Sequence, residues 1–263
     1  MAESDESELE EGRMPFVEHL RELRDRLRNA SFAFVIGFVV CWVFSQDIYD
    51  WLRVPIDHAW VAHKETLGEQ PRMFFQSPVT PFWLYMSVAM WASFFVASPF
   101  IFHQIWRFIA PGLYKRERRM GVLFAVFSAL CFVAGGLFCY YFVLERLYTF
   151  LLGYATKEMQ PTIFVSEYFD LTRNMMLAFG AVFELPMLIL FLAKVGLVTH
   201  RGLWKFNRWF VVIAFVVGAI LTPSPDVISQ VAMALPMIVL YNVSILIAYI
   251  VVRDKEKRAA AAG

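Results

Sequence analysis

Four places in this sequence put residues capable of recognition or proton chemistry where their surroundings make them conspicuous. The first reads Pro15-Phe16-Val17-Glu18-His19-Leu20-Arg21-Glu22-Leu23-Arg24-Asp25-Arg26-Leu27. Coiled as a helix, it sets Phe16, Leu20, Leu23 and Leu27 on one face and Glu18, Glu22 and Asp25 on the other, the pattern of a helix lying in a membrane interface. Carboxylates held among interfacial arginines suit a cationic partner, unless Glu22 simply pairs with Arg26 one turn on. The second reads Phe108-Ile109-Ala110-Pro111-Gly112-Leu113-Tyr114-Lys115-Arg116-Glu117-Arg118-Arg119. There Glu117 either moderates the repulsion of its four basic neighbours or offers a second acidic contact beside Glu22. The third is Glu184 in Phe183-Glu184-Leu185-Pro186, inside an apolar run. An ionisable group there costs about 2.5–3.5 kcal/mol on insertion scales, which makes function its default reading. Pro186 leaves the Val182 carbonyl without a helical donor, a gap that a protonated Glu184 or a water would fill. The fourth is a polar group of Thr222, Asp226, Ser229 and Gln230. Asp226 suits a helix cap, and Gln230, a turn deeper, needs a partner helix for its amide.

Other chemistries find no footing. No GxxxxGK[ST], HExxH or GxSxG pattern occurs, and the five histidines do not fall at metal-ligand spacing. Cys41, Cys131 and Cys139 are widely spaced inside apolar segments, so they read as small hydrophobes rather than a disulfide framework or metal cluster. The expectation is a protein without catalysis, cofactor or metal. The net charge of +1 gives no bulk attraction to nucleic acid.

The elements that must position these groups are helices in lipid. Hydrophobic residues make up 59% of the chain, above the roughly 45–50% of soluble domains. They gather into six stretches, at 30–44 (27–44 with Arg28 snorkelling), 79–102, 120–144, 171–192, 209–221 and 227–252. In hydrocarbon each must satisfy its own backbone polar groups, which predicts helices. The fifth stretch reaches only about 20 Å, short of a hydrocarbon core of about 30 Å, yet Thr-Pro-Ser-Pro-Asp at 222–226 turns it directly into the sixth. Two antiparallel spans follow, and the short one is expected to thin the bilayer locally. Of 24 Lys and Arg residues, 18 fall on the side shared by the termini and 6 on the other, which predicts cytoplasmic termini. Residues 1–14 read as a disordered acidic tail with no cleavable targeting peptide, and 253–263 as a charged, then Ala-rich cytoplasmic tail. Leu144, Leu147, Tyr148, Leu151 and Leu152 recur at helical spacing beyond the third span, and Ile48, Trp51, Leu52 and Pro55 suggest another short helix. Together they predict a periplasmic cap.

Four segments carry a family resemblance: HLRELRDRL at 19–27, FIAPGLYKRERR at 108–119, FGAVFELP at 179–186 and FVVGAILTPSPDVISQ at 215–230. In order and spacing they resemble the signature stretches of the TatC family, with coverage from about residue 15 to 252. The resemblance implies an all-α membrane protein of the bacterial inner membrane, six helices forming a concave bundle over 15–252. It implies a receptor for twin-arginine signal peptides of folded precursors, in which Glu22 and Glu117 receive the arginine pair and Arg24 and Phe108 share their surface. Glu184 matches the family's intramembrane glutamate. Thr222 and Gln230, with Asp226 in the same hairpin, match the region that holds the single-span partners TatB and TatA in a multimeric complex driven by the proton motive force. Ser224 departs from the family's tighter TPPD turn. Two rivals stand beside this reading. A proton-coupled small-solute transporter would need Glu184 and spare Glu22 and Glu117; a structural scaffold would tolerate the loss of all three.

Overall fold

The computed structural model describes the backbone of residues 16–68, 71–109, 118–221 and 227–261. Its helices are α1 (Phe16–Val43), α2 (Ser45–Val61), α3 (Lys64–Leu67), α4 (Thr80–Ile109), α5 (Arg118–Phe138), α6 (Glu145–Leu152), α7 (Val165–Phe183), α8 (Leu185–Val195), α9 (His200–Leu221) and α10 (Val227–Ala261). A π-helical turn, Cys139–Leu144, joins α5 to α6 without a break. Among the described residues six helical segments are long and apolar enough to cross a membrane: α1, α4, α5 running into α6, α7 running into α8, α9, and the central part of α10.

The segment around Glu22 differs from its expectation. It is no separate interfacial helix, since α1 runs unbroken for 28 residues, about 42 Å. That exceeds the hydrocarbon thickness by roughly two turns, so the amphipathic part continues straight out of the span. The fifth helix also starts before its apolar run: α9 has 22 residues, and Arg201, Lys205 and Arg208 ride on its first turns. Its apolar portion is still the 13 residues from Trp209 to Leu221. At the other end α10 carries helical backbone through the tail to Ala261, while residues 1–14 lie outside the described residues.

The spans pack as a row. In turn, α1 lies on α4, α4 on α5, α5 on α7, α8 on α10 and α10 on α9. Among the described residues no substantial contact closes α1 onto α9 or α10, so the row stays open. Lipid supplies little hydrophobic drive between helices, so close approach depends on small residues. A Cβ built on Gly135 of α5 would lie 2.5 Å from the Phe179 carbonyl oxygen and 2.8 Å from Phe183 Cβ. Gly135→Val is expected to force α5 from α7 and to cost about 1–3 kcal/mol, read as a lower unfolding midpoint in detergent. The turn between α8 and α9 needs glycine for another reason: Gly196 has φ +87°, and the Leu197 amide donates back to the Leu192 carbonyl at 2.9 Å.

At the end of the bundle away from the termini, α2, α3, α6 and the start of α7 build a cap. Leu52, Leu144, Phe169 and Thr172 are fully buried there. Three hydroxyls tie it together: Tyr168 donates to the Leu52 carbonyl at 2.5 Å, Tyr140 to the Trp51 carbonyl at 2.7 Å, and Tyr148 pairs with Thr172 Oγ1 at 2.7 Å. A two-stranded parallel ribbon, β1 (Met73–Phe74) with β2 (Ile163–Phe164), joins the two long loops in the register Met73 to Ile163. Tyr49 donates to Met73 Sδ at 3.1 Å, and burial pushes its phenol up to about 12.

Candidate functional site

The first site grows from the start of α1. Leu20, Leu23 and Leu27 are exposed and turn away from the bundle, whereas His19, Glu22, Asp25 and Arg26 are half-buried. The polar face therefore meets protein and the leucine face meets the surroundings. Residues three apart share a helix face, so His19 and Glu22 point the same way. The His19 ring stacks on Phe108, near the end of α4, with centroids 4.4 Å apart and planes at 16°. This contact brings Phe108 within a turn of Glu22.

Glu22 is not vacant. Arg26 places Nη2 at 2.8 Å and Nε at 3.3 Å from Glu22 Oε1, the i,i+4 pair that spacing alone offers. Both side chains are about one-fifth exposed, at 21% and 22%. Both contacts fall on Oε1, and neither reaches Oε2. Arg24 points elsewhere: its side chain is 74% exposed and its Nη2 lies 3.7 Å from Asp25. Glu117 lies outside the described residues.

The second site is inside the bundle. Glu184 sits at the joint of α7 and α8 with φ −75° and ψ −15°. The expected gap over Val182 is closed by the backbone itself. Amides at the joint reach the Ala181 and Val182 carbonyls, so the tightened turn needs no carboxyl or water there. The Glu184 carboxyl instead faces α5, beside Ser128, Cys131 and the backbone of Phe132. Its Oε1 is buried without a hydrogen-bond partner among the described residues. Ser128, fully buried, accepts a hydrogen bond from Trp106 Nε1 of α4 at 2.9 Å.

The third site, at the α9–α10 hairpin, is described only in part. Gln230 donates through Nε2 to the Phe215 carbonyl at 2.9 Å, so its amide is engaged inside the hairpin. Thr222 and Asp226 lie outside the described residues. The three sites are separate: the Glu22 surface is at the terminal end, Glu184 in mid-bundle and Gln230 near the cap end. Sequence reasoning passed over His19, Trp106 and Ser128. The signal for His19 was its place one turn before Glu22; for Ser128 it was a lone hydroxyl in the run 120–144. Trp106 gave no signal among so many aromatic residues.

The fold and these sites define a polytopic helical membrane protein of six spans, with a polar surface at one rim and one carboxyl in mid-bundle. Comparison with known proteins narrows the class. Residues 18–236 match the sequence model of the family described as Sec-independent protein translocase protein (TatC). The chain is 41% identical over 249 residues to the Sec-independent protein translocase protein TatC of Koribacter versatilis (strain Ellin345), covering 94% of this chain and 90% of that one. It is 36% identical over 246 residues to the TatC of Aquifex aeolicus (strain VF5), covering 93% and 98%. Its fold is similar to a crystal structure of the twin arginine translocase receptor TatC, with TM-score 0.74 and 36% identity, covering 88% of this chain and 98% of that one. The chain belongs to the TatC family. It is a non-enzymatic component of the Sec-independent translocase, works with other Tat subunits, and is a multi-pass protein of a bacterial inner membrane.

Proposed function

We propose that the chain is the receptor that captures twin-arginine signal peptides of folded precursors, with Glu22 and Glu117 as the groups that receive the two guanidiniums. The observation that carries this reading is the half-buried Glu22, set on a protein-facing helix surface beside Phe108 with Oε2 clear of Arg26. A guanidinium offers planar paired donors to such a carboxylate, and lysine cannot reproduce that geometry. The 18-to-6 bias in Lys and Arg supports placing this surface in the cytoplasm and the cap in the periplasm. Arg24, exposed beside it, adds a rim charge rather than a peptide anchor.

Glu184 serves as an intramembrane polar contact for the peptide or a partner helix. The hairpin of Thr222, Asp226 and Gln230 receives the TatB and TatA helices in a multimeric complex, and transport draws on the proton motive force. Crosslinking tests the central claim. A signal peptide with its arginine pair is expected to crosslink to probes near Glu22, and a Lys-Lys peptide to do so at least tenfold less. Equal yields from the two peptides would overturn the assignment.

Although α9 as a whole, at 22 residues and about 33 Å, is long enough to cross, its wholly apolar part is the 13 residues of about 20 Å after Arg208, and that mismatch supports a local thinning of the bilayer. Inserting four apolar residues into 209–221 is expected to slow export severalfold while the protein still reaches the membrane. Export at the parental rate would rule the thinning out.

A further inference from the structure

The buried chain from α4 through α5 to Glu184 points to two residues beyond those already assigned. Trp106 is 7% exposed, and its indole N–H can only donate. It spends that donor on Ser128 Oγ at 2.9 Å. Trp106 is in turn fixed by ring contacts to Phe124 and Phe191, at 4.9 and 5.1 Å between centroids. With its oxygen engaged as an acceptor, Ser128 has one proton to direct. The strongest acceptor beside it is the Glu184 carboxyl, whose Oε1 is buried and unpartnered among the described residues. A buried carboxylate oxygen without a partner is costly, so a small turn of the Ser128 hydroxyl toward Oε1 is favoured.

The geometry points to Ser128 and Trp106 as positioning residues for Glu184: the indole fixes the serine hydroxyl, and the hydroxyl holds the carboxyl toward the bundle rather than toward lipid. Three helices then share responsibility for one rotamer. Glu184 lies at the α7–α8 joint, where the backbone does not carry the regular helical ladder, so its direction depends on such outside contacts more than in an unbroken helix. This inference rests on reading Glu184 as the intramembrane site, and its test is arranged to stand apart from that reading.

Infrared spectra of the purified full chain in detergent supply the direct measure. Glu184→Gln identifies the Glu184 band by removing it. Ser128→Ala and Trp106→Phe, each of which keeps most of the packing, are expected to shift that band, and Ser128→Thr, which keeps the hydroxyl, to restore it. An unmoved band in both variants overturns the proposal, whatever happens to export. Export rates then decide whether the positioning matters. Ser128→Ala is expected to slow export about fivefold, and Ser128→Ala with Glu184→Gln no more than Glu184→Gln alone. Losses that multiply would show Ser128 acting independently of Glu184 and would overturn the positioning role. If Glu184→Gln exports at the parental rate, the intramembrane-site reading fails, and the infrared band alone decides the proposal.

Discussion

Replacing Glu22 and Glu117 together by glutamine is expected to weaken capture of a twin-arginine precursor by about a hundredfold or more. A hydrogen bond to a charged group contributes about 1.5–3 kcal/mol, and two of them convert to roughly 10² to 10⁴ in affinity. The lower end applies here, because an incoming guanidinium competes with Arg26, already 2.8 Å from Glu22 Oε1. Glu22→Gln alone is expected to lose about tenfold. Stability is expected to change little, since the Glu22–Arg26 pair is an i,i+4 contact of the kind worth about 0.3–0.5 kcal/mol. Binding of a labelled precursor to the purified variant, beside its unfolding midpoint, measures both. Capture by the double variant within threefold of the parent rules out these carboxylates as the arginine receptors.

The second large effect is expected at the other end of the molecule. Phe169, 1% exposed, belongs to the buried cluster that joins α2, α6 and α7 in the cap. Removing a buried phenylalanine ring costs about 3–5 kcal/mol, from lost burial plus the cavity left behind. Phe169→Ala is therefore expected to lower the unfolding midpoint sharply in detergent. Phe82→Ala, at a position 53% exposed, is expected to stay within about 0.5 kcal/mol of the parent and serves as the control. The fraction of Phe169→Ala that remains folded is expected to crosslink signal peptide near Glu22 as the parent does, because cap and rim lie at opposite ends of the bundle. A midpoint shift no larger than the control's would mean that the cap is not held by this core.

The sites were legible to unequal degrees. Glu22, Glu117 and Glu184 stand out in the sequence because a carboxylate in a basic or apolar stretch is costly and local. The Glu22–Arg26 pair follows from spacing alone. The His19–Phe108 stack does not, since it joins residues 89 positions apart on two helices. The same holds for Trp106, Ser128 and Glu184, which come from three different spans. The sequence offered a protonated Glu184 or a water for the Val182 gap; the backbone closed it instead, through amides of the tightened turn at the α7–α8 joint.

By itself the sequence determined that six apolar helices cross a bilayer, that spans five and six pack as an antiparallel pair, and that the third span runs on beyond its apolar stretch as a helix. Those features follow from length, periodicity and the need to satisfy the backbone locally in lipid. Only the tertiary structure decided the order of the row, the face that α1 turns to α4, and the pairing of Met73 with Ile163. The reason is that lipid is as apolar as the bundle interior, so hydrophobic pattern does not tell inside from outside. Neighbours are chosen by the fit of small residues such as Gly135 against Phe179 and by a few buried hydrogen bonds, which no local pattern encodes.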